Sequence, residues 1–230
     1  MPNFLRKLRR NEMKSTKYLK YAIGEIVLVV IGILIALSLN NWNDSKKTAR
    51  KETALLKRVK KENLYNIGFL EENMAFLENQ DTRVYELYSA LSQPRSKKTD
   101  QEVESLISNV ISMGMYTFPT QYLERYINSS ENDGNELTID LIGLKDNLTA
   151  YVKATDFTYS YQMDNTWPFI EKGFDMVNFE IIDHDILRDR VFINRLVVLE
   201  DMSSSNYENL MHTISEAKQI DSLITRRLAQ

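Results

Sequence analysis

The chain has 230 residues, 43% of them hydrophobic, and a net charge of -3, so it holds enough apolar material for a core and lacks the basic excess of nucleic-acid-binding proteins. Only seven glycines and four prolines interrupt it, which favours long helices over many short strands. Cysteine is absent, which excludes disulfides, thiolate metal sites and cysteine nucleophiles.

Residues 1–20 are predicted to form a basic cytoplasmic tail, with seven basic residues and one acid. Up to Glu62 the chain carries fifteen basic and five acidic residues, whereas the remainder carries fourteen basic and twenty-seven acidic ones. The positive charge therefore brackets the first apolar run, where anionic lipid attracts each Lys or Arg by about 1 kcal/mol. The acidic remainder argues against nucleic acid as a partner.

Residues 21–42 are the predicted transmembrane helix. Glu25 is the only charged residue between Tyr21 and Leu39, and these nineteen residues, at 1.5 Å rise each, match the roughly 30 Å of a bilayer's hydrocarbon core. Tyr18 and Tyr21 at one end and Trp42 at the other are the predicted interface anchors, because aromatic rings favour the boundary between lipid and water.

Two alternatives to a membrane anchor remain open at this point. Ile26–Leu39 has the length of a signal-peptide core, with a small-residue cleavage pattern at 36–38, and a buried helix of a soluble protein is also apolar. The long basic leader and the predicted helix downstream favour an uncleaved anchor. The excess of Lys and Arg before the span predicts a single-pass inner-membrane protein with a cytoplasmic N-terminus and a periplasmic domain.

One face of the predicted span differs from the others. Its residues follow steps of four, three, four and four and are small or polar: Glu25, Val29, Gly32, Ala36 and Asn40. A small residue at two positions four apart allows close approach of a second helix, so this face is the predicted contact with a protein partner or a second copy. The alternative is that Glu25 extends toward water or pairs with Lys20.

The segment Lys20–Asn43, KYAIGEIVLVVIGILIALSLNNWN, closely resembles the signature of an uncharacterised family of single-span membrane proteins from the Bacteroidota lineage. Looser likeness extends to TQYLERYINSS and VFINRLVVLE further along the chain. The resemblance implies a helical domain held at the inner membrane, and it implies no reaction, because the family has none assigned.

Residues 43–230 are predicted to be an extracytoplasmic helical domain, so the expected fold is all-α: one transmembrane helix followed by an elongated bundle whose first and last helices are long and pair with each other. A stripe from Leu56 to Leu91 predicts the first helix, which either continues the span or begins at 43–45. A loop at 93–100 follows, in which Thr99 or Asp100 caps the next helix.

Three further helices are predicted around 103–111, 120–127 and 137–161, with a polar turn at 129–135 before the third. Thr166-Trp167-Pro168 indicates a new helix start with proline in its first turn. Beyond it, Phe169, Phe174, Val177 and Ile181 line either that helix or a looser segment. The last helix runs from about Asp189 to Leu228.

Few residues indicate chemistry. Asp183-His184-Asp185 is interpreted as a helix cap rather than a metal site, because adjacent residues on a helix point about 100° apart. An aromatic cluster is assigned to core packing, with a ligand pocket as the alternative: Phe157, Tyr159, Tyr161, Trp167 and Phe169. No phosphate loop or hydrolase motif occurs, so no catalytic residue, metal or cofactor is predicted.

The sequence therefore favours a membrane-anchored interaction or accessory protein of the bacterial cell envelope. The alternative is a ligand-sensing extracytoplasmic domain that signals through a partner membrane protein. A tail of 20 residues is too short for an output domain, which favours the first hypothesis.

Overall fold

The computed structural model describes residues 2–93, 98–111, 116–129 and 135–229, and the side chains of these ranges from Tyr21 onward except that of Asp81. The fold is all-α, as predicted, apart from one small β-hairpin. The chain divides into two compact units, Met1–Ala54 and Leu55–Gln230.

The first helix, α1, spans Pro2–Ser92. It passes through 43–45 without interruption, so the prediction of a continuing helix is confirmed and the alternative start at Asn43 is wrong. No proline follows Pro2 until Pro94, and a residue directly before proline is disfavoured in the helical region, which explains the end of α1 at Ser92.

The elements after α1 follow in a fixed order: α2 (Asp100–Val110), α3 (Gln121–Ile127), α4 (Glu136–Tyr161), a π-helical turn (Gln162–Thr166), α5 (Trp167–Gly173), β1 (Phe174–Asp175), β2 (Glu180–Ile181), α6 (His184–Leu187) and α7 (Arg190–Leu228). The start and end predicted for the last helix are confirmed, with Asp189 as its N-cap. Residues 130–134 of the predicted turn and 94–97 of the predicted loop lie outside the described residues.

Side-chain caps fix where α2 and α6 begin. Thr99 and Glu102 form a capping box, in which the Thr99 N–H donates to Glu102 Oε2 at 2.7 Å. Asp183 Oδ1 accepts the N–H groups of Asp185 and Ile186 at 2.9 and 3.0 Å. The predicted cap at 99 and the interpretation of the Asp-His-Asp segment as a cap are both confirmed, because these side chains satisfy N–H groups that a helix start leaves free.

The unit Leu55–Gln230 contains two apolar clusters. The first core is contributed by α1, α3, α4, α7 and the segment before α3, and its largest fully buried members include Leu56, Leu70, Tyr126, Leu144 and Tyr151. The second core is contributed by the end of α1 with α2, α5, β1, α6 and the start of α7, and includes Leu87, Ile107, Ile170, Phe174 and Phe192. The part of α1 from Leu55 onward serves both cores with one apolar face.

Polar contacts join the long helices of this unit. Asn63 Nδ2 of α1 donates to the Ala217 carbonyl of α7 at 2.8 Å, in a buried position. Asn206 Nδ2 of α7 donates to Thr158 Oγ1 of α4 at 2.8 Å. The part of α1 from Leu55 onward therefore contacts α7 within this unit, and α4 also packs on α7.

The helix start predicted at Thr166-Trp167-Pro168 is confirmed, because α5 begins at Trp167 with Thr166 as its N-cap and Pro168 in its first turn. The sequence did not show that α5 follows α4 directly through a π-turn, in which the Trp167 N–H bonds to the Gln162 carbonyl. Pro168 explains the wider turn, because it lacks an N–H and its ring crowds the carbonyl four residues back. The looser segment expected beyond it is a hairpin that pairs Phe174 with Ile181 and Asp175 with Glu180.

Candidate functional site

The apolar part of α1 lies on the surface of its unit. From Tyr21 to Trp42 every side chain is exposed, and an apolar 18-residue window has a mean hydropathy of 2.7 with none of it buried. A helix that is apolar all round normally lies in a protein core or in a membrane. No residue of this stretch belongs to either core, so the stretch has no protein cover among the described residues. It is also long and apolar enough to cross a membrane.

The predicted contact face is free of steric obstruction. Glu25, Val29, Gly32, Ala36 and Asn40 are all exposed, and a Cβ built on Gly32 meets no atom within 4 Å. Asn40 Nδ2 donates to Asp44 Oδ2 at 3.1 Å, so the last member of the face is held by the next turn of the helix.

The predicted interface anchors differ in what surrounds them. Tyr21 is exposed, and the side chain of Tyr18 lies outside those described. Trp42 is 58% exposed, and the Lys46 ammonium lies 3.8 Å from the centroid of its ring. This cation–π contact places the first cation after the apolar stretch directly against the aromatic residue that ends it.

A row of cations follows Trp42 on one side of the helix. Lys46, Lys47, Arg50 and Lys51 are exposed and line one shallow groove together with Asn43 and Ala54. These six positions are separated by steps of three or one residues, so they share one helix face. The sequence showed the basic charge, and the helical structure shows that it is concentrated on one side.

The hairpin supplies an exposed apolar patch that sequence reasoning missed. Met176, Val177, Phe179 and Ile182 are all exposed, Val177 to 84%. Of the two alternatives for Val177, a helix or a looser segment, the structure shows the second. The signal in the sequence was Asp175, three residues before Asn178, because Asp and Asn side chains favour turns. In the structure the Asp175 carboxylate accepts the N–H groups of Val177 and Asn178 at 2.8 and 3.2 Å.

The hairpin is held firmly at its base. The Ile181 N–H donates to Glu104 Oε1 of α2 at 3.0 Å, and the Ile182 N–H donates to the Gly173 carbonyl at 3.0 Å. A Cβ at Gly173 would lie 2.7 Å from Leu187 Cγ, so only glycine fits there. Phe179 has a φ of 59°, a region that a bulky residue rarely occupies.

The groups of the helical unit with shifted pKa values include two carboxylates and two buried phenols. Hydrogen bonds lower the pKa of Glu102, chiefly from the Thr99 N–H, and the pKa of Asp175, chiefly from the Val177 N–H. Burial raises the pKa values of Tyr116 and Tyr151 in the first core. Hydrogen bonding that stabilises turns and caps explains the first two shifts and core packing the others, so none of them points to proton transfer.

The aromatic cluster assigned to core packing separates into two groups. Phe169 stacks on buried Phe192 with ring centroids 5.2 Å apart, as core packing requires. Phe157 is 68% and Tyr159 37% exposed, so their assignment to the core is wrong. Residues two apart on a helix point about 200° apart, so Phe157 and Tyr159 lie on different sides of α4, and the run of aromatic residues from 157 to 161 is wider than one helix face.

The histidines lie on the surface. His184 Nε2 is 3.7 Å from Asp100 Oδ2 across the start of α2, and His212 is exposed. Among the described residues, no three His, Asp or Glu side chains converge in a way that would hold a metal ion.

Fold and surface together define an all-α protein with one apolar helix of membrane-spanning length and a separate helical unit. The chain belongs to a family of unknown function, DUF6090, whose model matches residues 25–204. The match begins at Glu25 and so takes in most of the apolar stretch as well as α2 to α6. No curated protein and no solved structure matches the chain.

Proposed function

We propose that this protein is a membrane-anchored interaction protein of the bacterial cell envelope: residues 21–42 cross the inner membrane once, residues 1–20 are cytoplasmic, and residues 43–230 form a periplasmic helical bundle. The observation that carries the proposal is the complete exposure of the apolar stretch, which none of the described residues covers. Lipid is the solvent in which such a surface is stable.

The polar and small face of the span supports a role in association. Glu25 is exposed within an apolar stretch, and a carboxylate in or near hydrocarbon is costly unless a donor meets it. Gly32 and Ala36 allow two helix backbones to approach closely, which is how membrane helices gain packing energy. The occupant we propose for this face is a second transmembrane helix, from a second copy of the chain.

Replacing Gly32 tests the face. Because a Cβ at Gly32 meets no described atom within 4 Å, Gly32→Leu leaves the isolated helix undisturbed. Any loss of association therefore reflects a contact with a partner helix. We expect weaker self-association by about 1 to 2 kcal/mol, measured by a membrane two-hybrid assay on the full chain.

Gly24→Leu is the matched control, since a side chain at Gly24 also meets no atom within 4 Å but lies on another side of the helix. Unchanged association in Gly32→Leu, or equal loss in both variants, would contradict the contact face. The anchor itself is checked separately: the full-size chain should resist alkaline carbonate extraction, and release of a shortened chain would instead indicate a cleaved signal peptide.

A further inference from the structure

The row of cations after Trp42 is a dense charged surface among the described side chains of the unit Met1–Ala54. Four of the six residues that line its groove are positive, and all four lie within two turns of helix: Lys46, Lys47, Arg50 and Lys51. A surface with this density of cations attracts anions. Because the apolar stretch ends directly before it, anions at the surface of a membrane are the ones within its reach.

The two acids nearby lie away from the middle of this face. Asp44 accepts a hydrogen bond from Asn40, in the direction of the apolar stretch. At about 100° per residue, Glu52 projects from the side of the helix opposite the middle of the face.

Helix geometry directs these side chains toward the apolar stretch. In an α-helix each Cα–Cβ bond tilts toward the N-terminus, so side chains at 46–51 lean back toward Trp42. Lys46 shows this directly, because its ammonium contacts the Trp42 ring one turn earlier. Long basic side chains placed just beyond an apolar stretch bring their charges to the level of the headgroups.

We propose that this face, lined by Asn43, Lys46, Lys47, Arg50, Lys51 and Ala54, binds the phosphates of anionic phospholipid headgroups. The inference rests on the proposed span at 21–42, which brings the headgroup layer to Trp42. Lys46 to Lys51 covers about 7.5 Å of helix axis, close to the roughly 5 to 7 Å thickness of one headgroup layer. Lysine and arginine both bind phosphate through charge-assisted hydrogen bonds.

Native mass spectrometry of the full chain tests lipid preference. The detergent-solubilised protein is mixed with phosphatidylglycerol or with phosphatidylcholine, and the lipids retained on the chain are counted. We expect phosphatidylglycerol to be retained preferentially, and changing all four cations to glutamine to lower its affinity at least about tenfold, since each basic residue contributes about fivefold. The preference should weaken as salt is raised.

A charge-matched control separates a local site from a general effect of net charge. It neutralises four exposed basic residues of the helical unit: Lys153, Lys172, Arg188 and Arg190. The control should retain phosphatidylglycerol within about twofold of the unaltered chain. A variant with Lys46, Lys47 and Lys51 changed to arginine should also retain it, because the charge is kept.

Equal retention of both lipids by the unaltered chain, or equal loss in the two neutralised variants, would overturn the inference. Carbonate extraction of the same membranes distinguishes failure of the lipid site from failure of the proposed function. A chain that stays in the membrane without lipid preference refutes the lipid site alone, whereas a chain released by carbonate refutes the span on which the site depends.

Discussion

Two acids of α1, Glu25 and Glu62, show how differently the two apolar stretches of this helix are used. Glu25 is exposed, and no hydrogen bond or ion pair is described for it. Glu62 is only 8% exposed, and its carboxylate accepts the N–H groups of Tyr122 and Leu123 at 3.0 and 2.9 Å. The second acid completes the start of α3 within the chain, whereas the first meets no partner among the described side chains.

The stretches around the two acids differ in the same way. From Leu55 to Ser92 many apolar residues are buried against α4, α7 and the shorter helices, and others, such as Leu64, are exposed. From Tyr21 to Trp42 the apolar residues occupy every side. One continuous helix thus carries both the apolar pattern of a helix packed in a folded domain and the all-round apolar pattern typical of a membrane helix. The burial of the side chains distinguishes the two stretches.

Leucine truncation in each stretch gives the largest expected contrast. Leu70→Ala should lower the free energy of unfolding of the helical unit by about 3 kcal/mol, because Leu70 is fully buried in the first core. Leu34→Ala should change it by less than about 0.5 kcal/mol, since Leu34 is 57% exposed. Chemical denaturation of the full chain in detergent measures both, and similar losses would mean that the apolar stretch packs in a core after all.

The buried acid gives the next largest effect. Glu62→Gln replaces one accepting oxygen with a donor that faces a backbone N–H, so we expect a loss of about 2 kcal/mol in the free energy of unfolding. Glu72→Gln is the matched control: it changes the same type of side chain on the same helix at an exposed position and should cost less than about 0.5 kcal/mol. A loss no larger in Glu62→Gln than in the control would show that the carboxylate does not hold α3.

The two threonine N-caps give the smallest contrast. Thr99 caps α2 through its own side chain, whereas Thr120, the N-cap of α3, makes no side-chain capping bond. Thr99→Ala should therefore cost about 1 kcal/mol and Thr120→Ala clearly less, because Glu62 already satisfies the N–H groups of α3. Thermal unfolding measures the difference, and a reversed order would contradict the role assigned to Glu62.

The long helices of this fold could be predicted because local signals define them. The stripe from Leu56 to Leu91 and the caps at Thr99 and Asp189 depend on residues a few positions apart, and the structure places helices there. The exposed polar face of the apolar stretch was likewise visible from spacing alone. The function of that face stays a prediction.

The features that the sequence did not reveal depend on residues distant in the chain. Glu62 was counted only as a charge, because its partners lie sixty residues away. The π-turn requires α4 to remain helical up to Pro168, against the usual effect of proline. The hairpin is held by Glu104, about seventy residues before it, so the local turn signal at Asp175 could not show where the apolar residues at the tip would lie.

The bond between Asn63 and Ala217 sets a condition on the order of folding. It joins residues 154 positions apart, and the first core is complete only when α7 reaches Ile224. At the roughly 5 to 20 residues per second of synthesis, the apolar face of α1 beyond Leu55 waits on the order of ten seconds or more for its last partner. During that interval the nascent chain presents this face uncovered, which makes it a target for a chaperone that shields apolar helices.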